Sequence, residues 1–89
     1  MKKRIAVLVR ERQSEALRMS IGLSLTEDEV SVFIMDRKLE DSDETAVNLE
    51  AMGAMGVRIY SNSSENSFQF MSTEDIARSL VDYDVVIPY

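Results

Sequence analysis

Four of the ten basic residues of this acidic chain stand in two short polar stretches, Arg10 and Arg12 in one and Arg37 and Lys38 in the other. Guanidinium and ammonium groups at one edge of a domain can hold a small anion, and more so beside the positive end of a helix. Asn62 and Ser63, in the run Ser61-Asn62-Ser63-Ser64, would supply neutral hydrogen-bonding groups to such a ligand. The plainer alternative makes the four cations solvated loop charges, paired with Glu11, Asp36 and Glu40. The same serines invite a nucleophile, but a serine hydroxyl needs an activating base. No histidine exists and no lysine is near in sequence, which leaves only Glu65. Asp43, Glu44 and Glu50 would suit a cation, yet they read equally well as a solvated helix face.

What is missing narrows the chemistry further. With no cysteine in 89 residues, disulfides, thiolate zinc sites, persulfide carriage and cysteine nucleophiles are all excluded. Without histidine the usual proton shuttle near neutral pH is absent. No glycine stands between Val9 and Ser14, so neither a phosphate-cradling loop nor a dinucleotide fingerprint is present. A phosphoacceptor domain would need clustered carboxylates after the first strand, where Arg10 stands instead. These absences predict a protein that is not an enzyme and has no cofactor. A net charge of −6 argues against nucleic acid and against anionic membrane surfaces as partners. Met1-Lys2-Lys3-Arg4 leads into too short an apolar run for a signal-peptide core, so the expected location is cytoplasmic.

These loops must be held by regular elements. Ile5–Val9 is a continuous β-forming apolar run, the pattern of a strand buried on both faces. Ser14 is the expected cap of a helix running to about Leu25, with Leu17, Ile21 and Leu25 on its apolar stripe and Gly22 allowing close packing on the sheet. Residues 26–29 turn the chain and residues 30–35 form a second strand. Ser42 or Asp43 opens a second helix with the apolar set Ala46, Val47, Leu49, Ala51, Met52 and Met55, and Gly56 suits a left-handed cap. Residues 57–60 make a third strand. Residues 61–71 have no periodicity and form a long loop, whose Phe68, Phe70 and Met71 are expected to meet another subunit. Ser72 caps a third helix carrying Ile76, Ala77, Leu80 and Val81, and Val85–Ile87 is the last strand before Pro88.

Strict β-α alternation predicts one α/β domain over residues 1–89, a three-layer α/β/α arrangement with a four-stranded parallel sheet in the order 3-2-1-4. Ligands of such sheets bind at the carboxyl ends of the strands, where the loops at 10–13, 36–41 and 61–71 gather.

Glu15-Ala16-Leu17-Arg18 with Gly22-Leu23, then Glu29-Val30 with Val32-Phe33, resemble the helix and second strand of the DsrE-like sulfur-relay family. Leu49-Glu50-Ala51-Met52-Gly53, Gly56-Val57 and Tyr83-Asp84-Val85-Val86 extend the likeness over most of the chain. The resemblance implies a small α/β/α domain that assembles as a trimer or hexamer, alone or with related DsrE-like subunits. It also implies that a persulfide-bearing cysteine would stand in the loop after the third strand. Residues 61–71 occupy that place without a cysteine, so the chain cannot carry transferable sulfur and resembles instead the cysteine-free structural subunits. It is also shorter than the family pattern, with one strand and one helix replaced by that loop. The leading expectation is thus a non-catalytic, self-associating or partner-binding subunit linked to sulfur or redox metabolism. The alternative is a small-anion-binding domain using Arg10, Arg12, Arg37 and Lys38.

Overall fold

The computed structural model describes residues 3–26 and 28–89. The expectations placed on Met1, Lys2 and Glu27 lie outside the described residues.

The apolar run at 5–9 becomes β1 (Arg4–Val9), an interior strand of the sheet. It pairs in parallel with β2 (Glu29–Ile34) on one side, Ile5 opposite Val30 and Val9 opposite Ile34. On the other side it pairs in parallel with β5 (Val85–Pro88), Ile5 opposite Val85. β3 (Arg58–Ser61) lies outside β2, and β4 (Gln69–Phe70) outside β3. The sheet therefore has five strands in the order β4-β3-β2-β1-β5, not the expected four in the order 3-2-1-4. The additional strand comes from the segment read as loop. Two residues are too few to show alternation, and they become a strand because the free edge of β3 offers unpaired backbone groups. Tyr60 lies opposite Gln69, and Met71 N–H donates to the Ser61 carbonyl at 2.9 Å. The segment expected to be the fourth strand is β5, beside β1.

Among the described residues three helices lie in the connections between strands, with none between β3 and β4. α1 (Gln13–Ser24) and α2 (Asp43–Ala54) follow β1 and β2, and α3 (Thr73–Ser79) runs on through a 3-10 turn (Leu80–Asp82) into β5. Right-handed crossovers that run across the sheet in opposite directions must put their helices on opposite faces. Accordingly α1 and α2 pack on one face with Ile5, Val7, Val9, Val30, Val32 and Ile34, while α3 packs on the other with Ala6, Phe33 and Met35 through Ile76.

Local signals hold unevenly. Ser42 caps α2 and Ser72 caps α3, each oxygen accepting a backbone N–H at 3.1 Å, from Thr45 and Asp75 respectively. Gly56 takes φ +77° where the left-handed turn after α2 requires it. α1, however, begins two residues earlier than Ser14 allows as a cap, behind Arg12, whose side chain makes no capping bond. Gly22 faces open space, so no close approach to the sheet explains it. Leu25 lies beyond the end of α1 and is 71% exposed. On α2 the inward face is Thr45, Asn48 and Met52, so Val47 points outward, 65% exposed.

Phe68 packs on the α1/α2 side of the core and Met71 on the α3 side, so both close over the chain's own interior; only Phe70 projects, 57% exposed. No helix among the described residues is long and apolar enough to cross a membrane.

Candidate functional site

At the carboxyl ends of β1, β2 and β3 the three loops are bound to one another by side-chain amides. Gln13, the first residue of α1, reaches residues 38–40: its Nε2 donates to the Lys38 carbonyl at 3.3 Å and its Oε1 accepts the Glu40 N–H at 2.9 Å. Asn66 does the same from the other side. Its Oδ1 accepts the Leu39 N–H at 2.8 Å, and its Nδ2 donates to the Arg37 carbonyl at 3.0 Å and to Ser61 Oγ at 2.8 Å. Asn62 clamps Asp36, accepting its N–H at 2.6 Å and donating to its Oδ1 at 2.9 Å, and also donates to Thr73 Oγ1 at 2.9 Å at the start of α3. Asp36 has φ +66°, a left-handed conformation costing on the order of 1 kcal/mol that the Asn62 clamp holds in place.

The binding of these loops shapes a cleft of about 350 Å³ between the first turns of α2 and residues 65–68. Leu39 is its buried floor, and Ala46, Leu49 and Phe68 are its apolar walls. Its rim carries Glu40, Asp41 and Glu65 against one cation, Lys38. The volume is in the range of small-ligand pockets, roughly 300–1,000 Å³.

The candidate anion-binding residues are not brought into this one space. Arg10 is exposed in the β1–α1 loop. Arg12 lines a separate depression of about 440 Å³ with Ile87, Pro88 and Tyr89, at the carboxyl end of β5. Arg37 is exposed and lies 3.7 Å from Glu11, a surface pair of small energetic weight. Lys38 alone of the four lines the cleft beside α2, where carboxylates outnumber it. Asn62 is consumed in the loop clamp, and Ser63 Oγ accepts the Glu65 N–H at 3.3 Å.

The serine run has structural work. Ser61 is fully buried; its hydroxyl donates to the Ile34 carbonyl at 2.9 Å and accepts from Ser63 N–H at 3.1 Å and Asn66 Nδ2 at 2.8 Å. One proton and two lone pairs are all a hydroxyl has. Among the described residues no group of three or more His, Cys, Asp or Glu side chains is placed to hold a metal ion.

Gln13, Asn66 and Leu39 carry the site's architecture without having been singled out by sequence. An amide at the first helical position and another in a polar loop are ordinary in both places, and only the long-range pairing gives them meaning. A smaller cleft of about 160 Å³ opens on the opposite face, under α3. There Phe33 stacks on Tyr60 at 5.2 Å and meets Tyr83 edge-on at 5.9 Å, and Arg4 lies over Tyr83 at 4.8 Å.

No family profile, no curated protein and no solved structure matches this chain.

Proposed function

We propose that this chain is a non-catalytic, DsrE-like domain that associates with copies of itself or with a related partner subunit, in sulfur or redox metabolism, without carrying a persulfide. One observation carries the non-catalytic part. Ser61 ends β3, at the head of the loop where the resemblance would put a persulfide cysteine, and all three of its hydrogen-bonding positions are spent on the protein itself. A hydroxyl so committed holds loops together and is not poised to attack. The exposure of Val81, Val85 and Val86 at 83%, 37% and 40% supports association, because a small domain has little surplus stability with which to leave apolar surface bare.

Native mass spectrometry of the full chain tests the reading. A trimer or hexamer, or a mixed assembly with a DsrE-like subunit, is expected, and polysulfide should add no sulfur mass. A chain that stays monomeric and takes no partner overturns it. A retained small anion that is lost on Arg12→Ala would favour the second reading, anion binding. That reading draws on Arg12 beside the first turn of α1, at the point where the strand order reverses.

A further inference from the structure

We infer that the cleft between α2 and residues 65–68 docks an extended basic segment of a partner protein, with one apolar side chain seated on Leu39 and flanking lysines or arginines meeting the rim. The inference rests on the partner-binding reading above and names the chemistry of the partner. Three observations converge on it.

The first is charge. Glu40, Asp41 and Glu65 stand around the opening against Lys38 alone among the described residues. Every ion pair among the described residues uses other carboxylates, those of Glu11, Glu29, Glu44, Glu74 and Asp75. The three rim acids thus make no ion pair with any described cation. An anionic ligand would meet net repulsion here, so this cleft is not the anion site of the second reading.

The second is arrangement. The acids do not converge as a metal-holding group. They are distributed around an apolar floor and walls made by Leu39, Ala46, Leu49 and Phe68. A lone cation would leave the apolar lining wet, and an uncharged apolar ligand would leave the acids unmatched. A chain segment with positive charges on either side of an apolar residue satisfies both. The third is rigidity. The Leu39 and Glu40 N–H groups are held by Asn66 and Gln13, at 2.8 and 2.9 Å. The floor is therefore formed before any ligand arrives, which lowers the ordering cost of binding.

Fluorescence polarisation on the full chain tests this, using a labelled peptide with a single leucine flanked by lysines. Saturable, salt-sensitive binding is expected. The combined substitutions Glu40→Gln and Glu65→Gln should weaken it roughly threefold to tenfold, the effect of removing two exposed charges. Ala46→Trp, at an exposed position on the cleft wall, should fill the space and abolish binding while circular dichroism stays unchanged. Peptides with glutamate for lysine, or glycine for leucine, should not bind. Equal binding of either control peptide, unchanged affinity in both variants, or full displacement by spermine would overturn the inference. None of those outcomes changes the assembly mass, so each removes the cleft's assignment and leaves the association reading to its own test.

Discussion

The two faces of the sheet are built to different standards. On one, two helices of twelve residues each lie against the strands and enclose a core that includes Val7, Leu17, Val32, Ile34 and Met52, all fully buried. On the other, a seven-residue helix and a 3-10 turn cover the same strands through Ile76, with a cleft left beneath them. Each fully buried aliphatic side chain contributes about 1.5–3 kcal/mol, so the first face supplies most of the burial energy. The second has little to spare and uses aromatic packing of Phe33, Tyr60 and Tyr83 to close what α3 leaves open. The contrast follows from chain length between strands. The α1 and α2 crossovers each span one strand spacing, whereas α3 must carry the chain from β4 at one edge to β5 at the other.

A pair of core truncations breaks or sharpens this contrast most directly. Leu17→Ala should lower global stability in urea by about 3 kcal/mol, from lost burial plus the cavity left behind. Ile76→Ala should lower it less, by about 2 kcal/mol, and its main effect should be local. Amides of residues 73–79 should then exchange with deuterium well before those of Val7 and Val32. Equal global losses with uniform exchange would mean that the two faces unfold as one unit.

The next largest effect belongs to the loops above the first face. Asn66→Ala removes three hydrogen bonds and leaves the part-buried Leu39 N–H without its acceptor. A loss of about 1–3 kcal/mol is expected, together with faster amide exchange at Leu39. No change in either would show that the cleft's floor is held by packing alone.

The smallest effect concerns the turn before β2. The Asp28 carboxylate accepts the Lys3 N–H at 3.1 Å and the Thr26 hydroxyl at 3.0 Å. The Lys3 bond first, and then the Thr26 bond, hold its pKa below the ordinary 3.8. Because the folded value is depressed, the stabilisation is present above the unfolded value and lost as pH falls through the folded one. Asp28→Asn should therefore cost a little stability at neutral pH and flatten the acid limb of the stability profile below about pH 4. An unchanged acid limb would assign that loss to other carboxylates.

Much of the helical and strand pattern was legible because its causes are local. The caps at Ser42 and Ser72 and the left-handed turn at Gly56 depend only on side chains one to three residues away. The inward face of α2 was legible only in part: Leu49, Met52 and Met55 of the expected set do pack on the core. Thr45 and Asn48 are polar, and the apolar Val47 beside them suggested a different stripe. Of the candidate site, the sequence identified the edge and the loops but not the residues that bind the loops together. Gln13 and Asn66 act on backbone groups more than twenty positions away, and no local pattern encodes that.

Two apolar runs state the division most clearly. Ile5–Val9 and Val85–Ile87 read alike, and both became parallel strands, because β-branched and other apolar residues in unbroken runs favour that state wherever they lie. Composition by itself also determined that no thiol or imidazole chemistry is open to this chain. Which strand would be enclosed was decided only in three dimensions. β1 has a hydrogen-bonded neighbour on each side and helices on both faces, while β5 has β1 alone and keeps Val85 and Val86 partly in solvent. Even its last bond depends on that pairing: Tyr89 donates to the Leu8 carbonyl at 2.8 Å, while Pro88, which has no N–H, sits on the edge strand where none is needed. Strand neighbours are chosen by the whole sheet, and a residue's own sequence context does not contain them.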